Sequence, residues 1–256
     1  MYRLNAVFKR IFIHPLNSLG EFWEKYNQFA ITQRLSVLAT NKELDALAGG
    51  QEVDESVLRV KLLESVEQYK KRTEATMAER QQYEVKIDRD YYHVTPMAEA
   101  AQENWRAYLM FEEKSGSKDI IERLYERCLV ACADYPEFWM RFAAWKESTV
   151  DVDAACAIYD RATKVHLRHS GEIHLQYALL LEGHERLDQA RAMYMKTIDQ
   201  VDPKYAPGFV QYANFERRQG NVNAAEILYQ SALEKVLEKD YDEIAMQYAM
   251  FQFRVC

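Results

Sequence analysis

Large apolar side chains recur in threes, three residues apart, through the second half of the chain. The trios are Trp105, Tyr108, Phe111; Trp139, Phe142, Trp145; His174, Tyr177, Leu180; Phe209, Tyr212, Phe215; and Ala245, Tyr248, Phe251. Positions i, i+3 and i+6 share one stripe of a helix, so each trio predicts an amphipathic helix with that stripe turned to a neighbour. First members follow one another at 34, 35, 35 and 36 residues. A second pattern follows the first four trios: Tyr125-Glu126-Arg127, Tyr159-Asp160-Arg161, Tyr194-Met195-Lys196 and Tyr229-Gln230-Ser231. Its tyrosine stands 20 residues after the trio's first member every time. A fixed internal gap inside a fixed period identifies a tandem array of two-helix units.

Small residues complete the pattern. Ala143, Ala178, Ala213 and Ala249 follow the central trio position, and Cys128, Ala162, Thr197 and Ala232 stand three residues after the second-helix tyrosine. Large beside small at fixed positions lets antiparallel helices interdigitate. Gly116, Gly183 and Gly220 fall between the two helices of three units, where a left-handed C′ residue is expected. Asp188 and Asn221 stand near the following helix starts, and Pro136 and Pro207 just ahead of the next first helices. The predicted units are 98–133, 134–168, 169–203, 204–239 and an incomplete 240–256.

The first 29 residues fit the same array, as the end of one unit and the start of the next. Phe8-Lys9-Arg10 matches the second-helix pattern, and Trp23, Tyr26 and Phe29 match the trio. Met1 to Pro15 is basic and free of acids, like a mitochondrial presequence. The 15-residue step from Phe8 to Trp23, within the 14 to 16 of the later units, assigns it to the array instead. From 30 to 97 the period fails. Asn41 and Gly49-Gly50 predict a loop over 30–52. From Asp54 to about Lys86 there is no proline or glycine, and Val57, Leu58, Leu62, Val66 and Tyr69 form an apolar stripe. One long helix is expected there, docked at its start and polar all round at its end, with Lys70-Lys71-Arg72 on a solvated face.

Composition narrows the classes. Eight glycines and five prolines in 256 residues are less than half the average share of about 12%, too few for the corners of a sandwich or barrel. The expected fold is therefore all-α, an α-α superhelix of antiparallel helix pairs. No apolar run reaches the roughly 18–20 residues of a membrane span. Four cysteines in a chain of this length do not make a disulfide scaffold. The net charge of −7 opposes independent binding of nucleic acid, which needs surplus cations to release counterions. Protein partners come first.

The residues also carry a resemblance. Trios followed by an acid (Phe111-Glu112, Phe215-Glu216) and Tyr-Glu-Arg-Cys-Leu at 125–129 resemble the half-a-TPR (HAT) repeat, a variant concentrated in RNA-processing scaffolds. Tyr91-Tyr92-His93-Val94-Thr95-Pro96, with Asn104 to Leu109 after a long charged insertion, is similar to the pre-mRNA-processing factor thirty-nine family of HAT proteins. His174 and Leu180 depart from the aromatic trio, and Ser231 from the arginine position. The resemblance implies a nuclear, non-catalytic scaffold in pre-mRNA splicing that assists the U1 snRNP at the 5′ splice site. It further implies spliceosomal snRNP proteins as partners, homodimers or paralogue heterodimers through HAT repeats, and RNA contacted only indirectly. The alternatives are a HAT scaffold of 3′-end cleavage and polyadenylation, or a TPR-like adaptor for short peptides. The 91–96 stretch opposes the first, and the lack of a regular Asn, Lys or Arg set on the first helices opposes the second.

Residues able to do chemistry have repeat-imposed roles. Cys128 and Cys132 are spaced i, i+4, but no second ligand pair completes a zinc site, and Cys128 is the small packing residue of its unit. His166, His169 and His174 span a helix connection, and His174 holds a trio position. Glu112-Glu113 and its kin read as helix surface rather than an acid/base pair. No phosphate-cradling glycine loop or nucleophile elbow is present. No catalytic residue, cofactor or metal is expected. The signature residues read as core: Trp23, Tyr26, Trp105, Tyr108, Phe111, Tyr125, Arg127, Trp139, Phe142, Trp145, Tyr159, Arg161, Tyr177, Tyr194, Phe209, Tyr212, Phe215 and Tyr229. A final first helix, about Asp242 to Arg254, carries Tyr248, Phe251 and Phe253 without a covering helix, and these three are the expected interface, covered by a second copy, a paralogue or further repeats.

Overall fold

The computed structural model describes residues 2–14, 16, 18–49, 53–89 and 91–255. Met1, Pro15 and Gly50, used above, lie outside them. The chain divides into two compact units, Met1–Ile87 and Asp88–Cys256. The division falls ten residues before the boundary expected after residue 97, because Tyr92 and Met97 are bonded to Asp134 and Tyr135 of the second unit. All regular structure among the described residues is helical, as the pattern predicts.

In the first unit, α1 is Tyr2–Ile11, α2 is Leu19–Thr32, α3 is Leu35–Leu38, α4 is Asn41–Ala48 and α5 is Glu55–Glu84. The expected 30–52 loop is mostly helix. Thr40 accepts from the Glu43 N–H at 3.3 Å, and the Glu43 carboxylate takes the Thr40 N–H at 2.7 Å. This reciprocal capping box starts α4, and Gly49, at φ +64°, ends it. The core holds Phe12, Leu19, Tyr26, Ala30, Leu35 and Leu38 against Leu62 and Val66 of α5. The long helix docks further than its stripe suggests. Met77 packs on this core, and the Thr73 hydroxyl donates to the Phe12 carbonyl at 2.7 Å. Lys70 is also not merely solvated, since its ammonium lies 5.9 Å from the Trp23 ring and pairs with Glu74 at 2.9 Å.

In the second unit, four helix pairs and a final helix follow one another: α6 (Glu99–Ser115) with α7 (Lys118–Ala131), α8 (Pro136–Thr149) with α9 (Val152–Lys164), α10 (Gly171–Gly183) with α11 (Leu187–Lys196), α12 (Ala206–Arg218) with α13 (Val222–Lys235), then α14 (Glu238–Val255). This is an all-α solenoid. The helix α11 runs on into a π-helical turn, Thr197–Val201. Small residues sit where helices approach: Ala143, Ala178, Ala213, Cys128, Ala162, Thr197 and Ala232 are all fully buried. Ala249, on the last helix, is exposed.

The glycines divide by role. Gly220, at φ +83°, takes the left-handed turn between α12 and α13. Gly116 has φ −76° and is needed for close approach, since a Cβ there would lie 2.7 Å from the Glu112 carboxylate. Gly183 is helical, and the left-handed residue of that turn is Glu185, at φ 59°. Pro136 opens α8 and Pro207 lies in the first turn of α12, where a missing N–H is harmless.

Candidate protein-interaction surface and the joints beneath it

One ring contact recurs at every step between units. The second-helix ring lies on the central ring of the next trio: Tyr125 on Phe142 at 4.7 Å, Tyr159 on Tyr177 at 5.2 Å, Tyr194 on Tyr212 at 5.5 Å and Tyr229 on Tyr248 at 5.5 Å between centroids. In the first unit Phe8 meets Tyr26 at 5.5 Å in the same relation. Each pair contributes about 0.5–1.5 kcal/mol beyond burial. Trio third members close against the same rings, Phe215 on Tyr194 and Phe251 on Tyr229, both at 5.2 Å.

The arginine of the second-helix pattern covers the trio's first ring. Arg127 stands 5.8 Å from Trp105 and Arg161 5.6 Å from Trp139, a cation–π distance. Where Ser231 replaces arginine, Lys235 one turn later reaches 5.7 Å from Phe209. His174 fills the third unit's slot, fully buried, with Nδ1 2.9 Å from the Ser170 carbonyl and Nε2 unpartnered. Burial lowers its pKa against the Ser170 bond, and nearby Lys196 and His169 lower it further. The ring is therefore a neutral packing group.

Beneath the rings lies a set of polar joints that the repeat reading passed over. Glu113, Glu147 and Glu182 stand 12 residues before the second-helix tyrosines. Glu113 on α6 accepts from the Tyr125 hydroxyl on α7 and from Arg141 on α8, the latter at 2.7 Å. Glu182 on α10 accepts from Tyr194 on α11 at 2.7 Å and from Arg218 on α12 at 2.7 and 2.9 Å. Glu147 on α8 meets His184 of α10's C-cap at 2.6 Å. Each carboxylate thus ties a unit to the next. Burial pushes the Tyr125 and Tyr194 phenols up, and the adjacent carboxylates push them further. Burial raises the Glu113 carboxyl, but the bonds from Arg141 and Tyr125 outweigh it and hold the pKa below the ordinary value. The repeated 12-residue gap was the signal that could have revealed these joints.

Glu112 and Glu216 correct the surface reading of the acid that follows the trio. They are 1% and 3% exposed. Glu216 takes bonds from Arg191 at 2.6 Å and Asn221 at 2.6 Å, so Asn221 serves this carboxylate instead of capping α13.

Among the signature residues, Trp105, Tyr108, Tyr125, Trp139, Phe142, Tyr159, Tyr177, Tyr194, Phe209, Phe215 and Tyr229 are buried, with Tyr26 buried in the first unit. Trp23, Phe111, Arg127, Trp145 and Tyr212 are half-buried, and Arg161 is exposed. The three residues expected at an interface part company. Phe251 is 5% exposed, since α14 folds back on α13 and turns this ring onto Tyr229; Tyr248 is half-buried. Phe253 is 89% exposed, and it shares the outer face of α14 with the exposed Met246 and Met250. These positions are spaced i, i+4, i+7, one helical stripe. Val210, 36 residues before Met246, packs beside Leu228 of its own second helix. The Met246 face is therefore the one that a second helix covers in the preceding unit.

Cys128 and Cys132 are buried thiols, with the Cys132 sulfur 3.8 Å from that of Met97. Among the described residues no group of three or more His, Cys, Asp or Glu could hold a metal ion, and no helix is long and apolar enough to cross a membrane. A groove of about 360 Å³ in the first unit has an apolar floor of Phe12, Leu62 and Val66 under the Lys9–Glu43 pair.

Pre-mRNA-processing factor 39 of Xenopus laevis is 39% identical over 153 residues, covering 60% of this chain and 24% of that protein. The Homo sapiens protein of that name is 30% identical over 176 residues, 69% of this chain and 26% of its own length. The Schizosaccharomyces pombe one is 29% identical over 236 residues, 83% and 38% respectively. The chain thus spans between a quarter and two fifths of the length of these relatives. The profile of the family described as PRP39 C-terminal HAT repeat matches residues 78–218, more than half of the chain. With its two-helix units, ring contacts and joints as described, the chain belongs to the PRP39 C-terminal HAT repeat family.

Proposed function

We propose that the chain is a non-catalytic scaffold segment of a nuclear pre-mRNA splicing factor. It works at the U1 snRNP, assisting assembly or 5′ splice-site recognition through protein–protein contacts. The observation that carries this reading is family membership over residues 78–218. The placement of side chains supports it. Most of the repeat rings that could stack on RNA bases are in the core. Arg106, Arg141, Arg191 and Arg218 are bonded to Glu137, Glu113, Glu216 and Glu182, so they are not open to phosphates, and the net charge is −7. RNA is therefore contacted through other proteins.

The exposed Met246, Met250 and Phe253 stripe is where a second HAT chain, the same or a paralogue, packs. The test has two arms. Tagged chain added to nuclear extract should enrich U1 snRNP proteins over polyadenylation factors, identified by mass spectrometry. Enrichment of polyadenylation factors instead would transfer the protein to 3′-end processing. Light scattering of the chain and of Phe253→Asp should show a dimer that the substitution weakens; a monomer in both would reject pairing through α14.

A further inference from the structure

Residues 91–98 contain no helix, yet they are pinned at two points within the second unit. The Tyr92 hydroxyl donates to Asp134 at 3.1 Å and its ring lies 5.5 Å from His166. The Met97 N–H donates to the Tyr135 hydroxyl oxygen at 2.6 Å. Between these anchors His93, Val94, Thr95 and Pro96 are exposed. Thr95 precedes Pro96, which disfavours the α region for it. Its hydroxyl is 2.6 Å from His93 Nδ1, which also accepts the Thr95 N–H at 3.1 Å.

Arg89 faces this hydroxyl in an unusual way. Its guanidinium donates to the Thr95 carbonyl at 3.1 Å from both terminal nitrogens, and to the Thr95 hydroxyl at 3.3 Å. Its Nε is buried and has no hydrogen-bond partner among the described residues. Among the described residues no carboxylate pairs with it, whereas Arg106, Arg141, Arg191 and Arg218 each hold one. Guanidinium is the group best matched to phosphate, since its planar fork donates two parallel bonds. Arg89 thus rests its guanidinium against the hydroxyl of an exposed Thr-Pro, where a phosphate on that hydroxyl would meet it.

We propose that Thr95 is a phosphorylation site for a proline-directed protein kinase, with Arg89 receiving the phosphate. The hydroxyl oxygen attacks the γ-phosphorus of ATP and forms the new P–O bond. The bond to the β-phosphate oxygen breaks, ADP leaves with the electron pair, and the hydroxyl proton passes to the kinase's base. The product carries a charge of about −1.5 to −2 and three strong acceptors beside Arg89. Arg89 exchanges a carbonyl for an ion pair, and the 89–97 segment is fastened at a third point.

The test uses the whole chain, ATP and two proline-directed kinases, one of the cyclin-dependent and one of the mitogen-activated class. Intact mass and fragment mapping should show one phosphate on Thr95, lost in Thr95→Ala and retained in Thr95→Ser. The 31P signal of the phosphothreonine should titrate about half a unit to one unit lower in the parent than in Arg89→Gln, as an opposite charge nearby favours the dianion. Helical circular dichroism of Arg89→Gln should match the parent, keeping the comparison within folded protein. Failure of both kinases to modify Thr95 in the folded chain overturns the acceptor. Identical phosphate titration in parent and Arg89→Gln overturns the pairing.

Discussion

Phe8 and Tyr26 in the first unit and Tyr159 and Tyr177 in the second make the same contact, a second-helix ring on the central ring 18 residues later. What lies five residues beyond the central ring differs. In the second unit it is Glu113, Glu147 and Glu182, each bonded across helices, and then Arg217 on α12. In the first it is Ile31, 70% exposed, and on α14 it is Phe253, 89% exposed. Glu113 and Glu182 stand where the next helix returns a tyrosine that donates to them, and Glu147 stands where His184 reaches it. After α2 the first unit continues instead into α3, α4 and the long α5. Its polar links run to backbone, as from Arg59 to the Ala30 and Gln33 carbonyls and from Thr73 to Phe12. Ring contacts therefore set the register in both units, while the carboxylate joint belongs to the first three helix pairs of the second unit.

The largest expected difference is at the first ring of the trio. Trp139 is 3% exposed, donates to the Ala133 carbonyl at 2.8 Å and lies under Arg161. Trp139→Ala should cost about 3–5 kcal/mol, the range for a core aromatic. Trp23 is half-buried, and Trp23→Ala should cost about 2 kcal/mol because less surface returns to water. Urea unfolding followed by circular dichroism measures both; equal losses would dissolve the distinction.

The joint itself comes next. Glu113→Gln should cost about 1.5–3 kcal/mol near neutral pH, the range for hydrogen bonds to a charged group. The folded carboxyl has a lowered pKa, so its contribution is present above the unfolded value, about 4.3, and is lost as pH falls through the folded one. Parent and variant should thus converge in acid. Glu43, paired with Lys9 at the surface with half its side chain exposed, should cost less than about 1 kcal/mol as Glu43→Gln. A gap between parent and Glu113→Gln that persists below pH 3 would assign the effect to packing.

The smallest effect sets hydroxyl against hydroxyl. Tyr177 donates to Asp160 at 3.0 Å, while the Tyr26 hydroxyl is buried without a partner and its pKa is pushed up to about 12, by burial and then by Glu43. Tyr177→Phe should lose about 1 kcal/mol. Tyr26→Phe should be neutral or stabilising, since it removes an unsatisfied group. A loss in Tyr26→Phe as large as in Tyr177→Phe would mean that this hydroxyl has a partner in solution.

Helix type, repeat length and buried rings were legible because they follow from local periodicity. A stripe at i, i+3, i+6 has one way to bury itself, and a gap of 20 residues returned four times fixes the pairing of helices. Thr40 and Glu43 were equally local, and a reading for capping boxes would have found α4 where a loop was expected. Other features depended on where the chain returns in space. Glu112 and Glu216 look like surface acids, and only the arrival of Arg191 and Asn221 makes burial of the Glu216 carboxylate tolerable. Phe251 looks uncovered until α14 folds back and sets it on Tyr229, leaving Phe253 exposed. Lys70 reads as solvated until α5 lays it beside Trp23. The sequence by itself determined the helices and their repeat, since apolar periodicity acts within a few turns. The tertiary structure alone decided which carboxylates are buried and which rings stay open, because Coulomb pairing and desolvation depend on distances between residues that are 25 to 36 positions apart in the chain.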